Sequence, residues 1–114
     1  MGKRIVVKQM EFRSIYITFG SLEEARRIGR LLVAERLAAC VNIFPVYSFY
    51  RWEENIEQAD EVSLIAKTRA QKVEALIERV KNLHSYQNPC IVSWKIDYGN
   101  PAFLEWIRDS TEPA

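Results

Sequence analysis

From Leu37 to Thr68 the chain reads LAACVNIFPVYSFYRWEENIEQADEVSLIAKT, two long strands with one tight polar connection between them. The first arm, about Ala38 to Trp52, carries Val41, Ile43, Phe44, Val46, Tyr47, Phe49, Tyr50 and Trp52. The second, about Glu57 to Thr68, carries Val62, Leu64 and Ile65 among polar residues. Glu53, Glu54 and Asn55 read as the turn, because β-branched and aromatic residues favour the pleat and Asn tolerates turn geometry. Each arm exceeds the usual strand of roughly 5–6 residues. A ribbon that long overshoots the body of a small domain, and a bare tip bearing Phe49, Tyr50 and Trp52 would promote aggregation. The pattern predicts partner subunits that bury these three residues, and so an obligate oligomer.

Around the ribbon, short strands alternate with amphipathic helices. Ser14 to Phe19 sets Ile15 and Ile17 against Tyr16 and Thr18, the period-two mark of a strand. Ser21-Leu22-Glu23-Glu24 matches a capping box, with Ser21 as N-cap and Glu24 expected to reach back to its amide. The helix it opens runs to about Arg36, with Ala25, Ile28, Leu31 and Leu32 inward. Gly29 in its middle costs about 1 kcal/mol against Ala, so close packing on the sheet is the expected reason for it. Val73, Leu76, Ile77, Val80 and Leu83 predict a second helix over about Ala70 to Leu83. Tyr86-Gln87-Asn88-Pro89 breaks it ahead of a strand from about Cys90 to Asp97. Asn100 as N-cap and Pro101 at the first helical position start a terminal helix with Phe103, Leu104 and Ile107. Trp94 and Trp106 read as core or helix-docking residues, and Thr111 to Ala114 as a frayed tail. Residues 1–13 are a basic, partly β-prone N-terminal extension ahead of one domain over residues 14–114.

This βαββαβ succession is that of an α+β, ferredoxin-like domain: an antiparallel sheet with helices on one face, here with a long β-hairpin and a C-terminal helix. The length, 114 residues, allows one core burying about two-thirds of the chain's surface. Sixteen Lys and Arg against fifteen Asp and Glu leave no basic stripe for nucleic acid. The Lys/Arg-Gly-aromatic signature of RNA-recognition strands is absent too. No apolar run approaches the ~20 residues of a membrane span, and no signal-peptide apolar region opens the chain, so no membrane partner is expected. Two cysteines, Cys40 and Cys90, are too few for a disulfide framework and suit a reducing cytoplasm.

LAACVNIFP at 37–45, YRWEENIEQADEVSLIAKT at 50–68, and the stretch from His84 through Tyr86 and Pro89 to Trp106 resemble the CutA divalent-cation-tolerance proteins. The resemblance covers about Ser14 to Ile107. It implies a homotrimer with interlocking hairpins, an architecture shared with the PII signalling proteins. It also implies a role in tolerance of copper or other divalent ions, with Cu(II) or another divalent cation as ligand, no organic cofactor and no enzymatic activity. The family's His-Pro-Tyr-Glu loop and following Pro-Glu stand here as His84, Ser85, Tyr86, Gln87, then Pro89 and Cys90, two carboxylates short. A first-strand cysteine and a second histidine beside the loop, copper ligands in some members, are replaced by Thr18 and Leu83, leaving His84.

Each candidate residue carries a chemical and a plainer reading. His84, as a neutral imidazole, suits Cu or Zn, with a thiolate from Cys40 or Cys90 as co-ligand. Its plainer role is donation to the last free carbonyls of its own helix. Cys40 otherwise reads as a small apolar residue under the first helix. Cys40 and Cys90 fall on strands at opposite edges of such a sheet, where no intrachain disulfide can close, although contact between subunits would bring them nearer. Glu61, Ser63, Ile65 and Lys67 share one strand face, so Glu61 and Lys67 could line an intersubunit cleft with His84, Tyr86 and Trp52. The plainer reading is a satisfied salt-bridge pattern at the interface. Lys67-Thr68 lacks the Gly-rich loop of a phosphate cradle. Phe49, Tyr50 and Trp52 read as interface anchors. Three functions follow: a metal-binding cytosolic trimer, a PII-like sensor of a small anionic ligand, and a structural trimeric adaptor. A catalytic set is absent from the sequence, which has one histidine and no evident acid pair.

Overall fold

Alternation sends Ile15, Ile17 and Phe19 to one side of the first strand, and all three are fully buried. The structure, a computed structural model, describes residues 11–113. Its elements run β1 Phe12–Phe19, α1 Leu22–Ala34, β2 Cys40–Trp52, β3 Asn55–Arg69, α2 Val73–Leu83 after a single 3-10 turn at Ala70–Lys72, β4 Ile91–Ile96 and α3 Pro101–Ser110. The sheet is antiparallel in the order β2-β3-β1-β4. This is the α+β, βαββαβ arrangement expected, with β2 and β4 at opposite edges. Of the basic N-terminal extension, residues 1–10 lie outside the described residues, while Phe12 and Arg13 already belong to β1.

The main core sits between the sheet and the first two helices. Ile28 and Leu32 of α1 and Leu76 and Val80 of α2 close over Ile15, Ile17, Leu64 and Ala66. The oxygen of Ser21 caps α1 by accepting from the Glu24 amide at 3.1 Å. At the other end the Leu37 and Arg36 amides donate to the carbonyls of Leu32 and Val33, a Schellman closure. Its left-handed residue is Arg36, at φ 61. Glycine is the usual occupant, and a side chain there costs about 1 kcal/mol.

The third helix departs from the expectation of helices on one face. Phe12 and Ile96 project opposite to Ile15 and Ile17, and Ile107 and Leu104 of α3 pack against them in a second cluster. With the first face filled by α1 and α2, Phe12 of β1 and Ile96 of β4 are covered from the other side. Arg69 locks this arrangement: its guanidinium donates to the hydroxyl of Thr111 at 2.8 Å and to its carbonyl at 2.9 Å. Thr111, expected in a frayed tail, is fully buried and itself donates to the Ile107 carbonyl. Trp94 and Trp106, expected in the core or docking a helix, are 49% and 44% exposed, because each lies on a surface that no described element covers.

The ribbon is longer than its support. β1 pairs with β3 only from Val62 to Arg69, so among the described residues the ladder from Val46↔Glu61 to Trp52↔Asn55 has no third strand. The molecule is accordingly 59 Å long and 28 by 22 Å across. The turn is Glu53-Glu54 alone, with Asn55 already paired to Trp52. Glu53, not Asn55, takes the left-handed backbone, at φ 58. Tyr47, Phe49, Trp52 and Ile56 on the ribbon are 60–81% exposed.

Gly29 answers to packing. A methyl group there would lie 3.0 Å from Leu64 Cδ1 and 3.2 Å from Val41 Cγ2. Gly29→Ala should therefore fail to deliver the ~1 kcal/mol that helix propensity promises, since overpacking costs about 1–3 kcal/mol. Urea denaturation should show a variant no more stable than the parent.

Candidate functional site

The loop after α2 drops His84, Ser85 and Tyr86 onto the ends of β1 and α1, where four elements meet. The His84 amide closes α2 by donating to Val80, while its ring turns away from that helix. The side chain is fully buried and stacks on Phe19 with ring centroids 4.7 Å apart. Nε2 lies 2.8 Å from the Thr18 carbonyl, and Nδ1 lies 3.0 Å from the Tyr86 amide. A carbonyl only accepts and an amide N–H only donates, so Nε2 carries the proton and Nδ1 offers the lone pair. Both ring nitrogens are committed.

That geometry bears on both readings of His84. It does not cap the last carbonyls of its own helix. Nor does it present a free lone pair to a metal, because a cation would have to displace either the Tyr86 amide or the Thr18 carbonyl. Among the described residues, no three His, Cys, Asp or Glu side chains form a metal-holding group. Cys40 is a half-buried free thiol opposite Lys67. Thr18, against which His84 lies, pairs with Ser63, four positions along β3 from Lys67 or roughly 13 Å. Within one chain His84 and Cys40 therefore do not meet.

Glu24 supplies what sequence reasoning missed. Its carboxylate does not return to the Ser21 amide; it accepts from the Ser85 amide at 2.7 Å and the Ser85 hydroxyl at 2.9 Å. Two donors from the loop outweigh one local amide, and together they tie the start of α1 to the end of α2. The local Ser-x-x-Glu pattern hid this long-range partner. Ser85, which stands where the resemblance has proline, carries both donors, and a proline could supply neither.

Tyr86 and Glu61, two of the residues expected to line an intersubunit cleft, meet within one chain. The phenol donates to Glu61 Oε2 at 2.7 Å, and its ring covers Gly20, where a Cβ would come within 3.2 Å of the phenol oxygen. Beside it the hydroxyls of Tyr16 and fully buried Ser63 share a hydrogen bond of 2.5 Å. The other two cleft candidates stand apart within the chain. Lys67 Nζ reaches only Asn42 Oδ1, at 3.2 Å, six residues along β3 from Glu61. Trp52 sits at the ribbon tip, 60% exposed, six residues along β2 from Val46, which pairs with Glu61. Phe49 and Tyr50 nearby are 70% and 45% exposed. Thr68 is no anion ligand: it is buried and donates to the Leu37 carbonyl at 2.7 Å.

Burial foremost, then donation to Glu61 and the nearby negative charges, pushes the Tyr86 phenol up from 10.0 to about 12. Between these values the unfolded chain has lost the proton and the folded one keeps it. Stability from this pair should be complete below about pH 10 and vanish as pH rises through about 12. Tyr86→Phe should flatten that part of the stability profile. His84→Ala should cost about 2–5 kcal/mol through its cavity and the Thr18 carbonyl and Tyr86 amide it orphans. Chemical denaturation in a metal chelator checks this, because the loss should be the same without metal.

Residues 13–110 match the family described as CutA1 divalent ion tolerance protein. The divalent-cation tolerance protein CutA of Archaeoglobus fulgidus is 50% identical over 98 residues, covering 86% of this chain and 96% of that protein. The protein of that name from Thermus thermophilus is 46% identical over 98 residues, covering 85% and 95%. A solved structure of the Archaeoglobus fulgidus protein, described as periplasmic, superposes with a TM-score of 0.87 at 48% identity, covering 89% of this chain and 99% of that one. The family description names a tolerance rather than a reaction. With its fold, its long hairpin and this match over nearly the whole domain, the chain belongs to the CutA1 divalent ion tolerance family.

Proposed function

We propose that the protein works as a cytoplasmic homotrimer in divalent-cation tolerance, without catalysis, and that the unsupported ribbon assembles it. The observation that carries this reading is the ladder from Val46↔Glu61 to Trp52↔Asn55, two strands wide and dressed with exposed Phe49, Tyr50 and Trp52. A two-stranded ribbon is marginal alone in water, so a neighbouring copy supplies the missing surface. The part of the open sheet face that α3 leaves bare, with Trp94 and Val92 about half exposed, is a second surface for such a neighbour. The free thiols of Cys40 and Cys90 suit a reducing compartment.

Divalent cations, Cu(II) among them, are then met between copies by carboxylates rather than by His84. Glu61 is the leading candidate: Tyr86 holds its Oε2, and its second oxygen makes no side-chain hydrogen bond among the described residues. One observation favours a second reading, a PII-like sensor of a small anion. Lys67 lies on the same strand face with a neutral amide oxygen as its partner, leaving its charge for an anionic ligand.

Native mass spectrometry of the reduced protein with added Cu(II) or Zn(II) should show a trimer that gains up to three ions, a gain lost in Glu61→Gln. A monomer at micromolar concentration would overturn the assembly. Uptake unchanged in Glu61→Gln would move the cation elsewhere, and a trimer that takes up no metal would leave the sensor reading.

A further inference from the structure

Far from the Glu61–Tyr86 pair, a cleft of about 300 Å³ opens between the end of α1 and α3, bounded by Val33, Arg36, Ala38, Trp106 and Ser110. The volume lies at the lower end of the range for small-ligand pockets, about 300–1,000 Å³. Buried Ala38 and Ala39, small side chains, leave the room at its floor, while Trp106 and Val33, 44% and 40% exposed, open it to solvent.

Arg36 is the unexpected residue there. It occupies the left-handed position of the Schellman closure, at φ 61, where glycine would fold with less strain. In return the chain holds a guanidinium at the cleft. One of its nitrogens donates to the Ser110 carbonyl at 3.3 Å, a long bond, and no carboxylate pairs with it among the described residues. Adjacent Glu35 is turned away, held by both nitrogen contacts of Arg79 at 2.9 and 2.7 Å. An arginine whose other donors make no hydrogen bond among the described residues, beside Trp106, whose ring also stacks on Phe103, and aliphatic walls, combines the fork that recognises a carboxylate with a surface for an apolar ring.

We propose that this cleft binds a small aromatic carboxylate, its ring against Trp106 and its carboxylate on Arg36. The site is separate from the proposed intersubunit one. Thr68, which bonds the residue after Arg36, is seven positions along β3 from Glu61, roughly 23 Å. Its failure therefore leaves the trimer and cation reading untouched.

The test follows the Trp106 indole N–H, assigned through Trp106→Phe, in 1H–15N spectra of the full chain titrated with 4-phenylbutyrate or its neutral amide. The carboxylate should give a saturable shift at low-millimolar concentration and bind at least tenfold more tightly than the amide, about 1.4 kcal/mol. Arg36→Gly, suited to the left-handed backbone, should keep the fold and weaken carboxylate binding at least tenfold while leaving the amide unchanged. Arg36→Asn, which also accepts that backbone, should do the same and covers the case in which glycine loosens the turn. Equal affinity for the two probes, unchanged binding in both variants, or no shift at about 10 mM carboxylate would overturn the proposal. A Trp106 signal that moves on dilution of the protein alone would assign the cleft to contact between copies and overturn it too.

Discussion

The ladder between β2 and β3 continues after its neighbour has ended, and much of the molecule answers to that mismatch. β1 has 8 residues and β3 has 15, so the inner part of β3 is sandwiched in a sheet while the outer part has only β2 beside it. Inside the sheet, α1 and α2 cover one face and α3 covers part of the other, leaving Val92 and Trp94 about half exposed. Outside it, alternation puts aromatic residues on both faces with none of the described residues covering them. Strand pairing alone holds such a ribbon weakly, because its backbone hydrogen bonds compete with water and few apolar contacts protect them.

The polar cluster at the loop after α2 is a consequence of closing the sheet's other end. There the helix stops, the chain must turn towards β4, and its free amides need acceptors. Glu24 and the imidazole of His84 provide them, and Tyr86 completes the link by reaching across Gly20 to Glu61. The network joins α1, β1, β3 and the loop, and leaves one oxygen of Glu61 without a side-chain partner among the described residues. The imidazole in that position ties the loop to β1 through both of its ring nitrogens.

Much of the fold was legible from period and punctuation. The Ile15/Ile17 alternation, the Ser21 cap, the Asn100-Pro101 start and the long hairpin all stand where the residues put them. The misreadings share one cause, that local pattern names a face without naming what covers it. Trp94 is on the face shared with Ile96, yet Ile96 packs with α3 while Trp94 lies beside Tyr16, 6.4 Å between rings, and stays 49% exposed. Thr111 looked like tail because nothing near it in sequence needs it, whereas buried Arg69 does. Glu24 looked like half of a local cap because its partner is 61 residues away. Of the candidate site, the shared face of Glu61 and Lys67 was readable from alternation, but the Glu61–Tyr86 contact depended on where the loop landed.

By itself, the sequence determined the elements, their order and the excess length of the hairpin, because these follow from side-chain periodicity and from residues that start or stop a helix within a few positions of themselves. Tertiary structure decided which face α3 covers, which nitrogen of His84 carries its proton and which side chains remain bare. Those outcomes depend on contacts between residues tens of positions apart, where competition for burial and for unpaired donors is settled only once the sheet has closed.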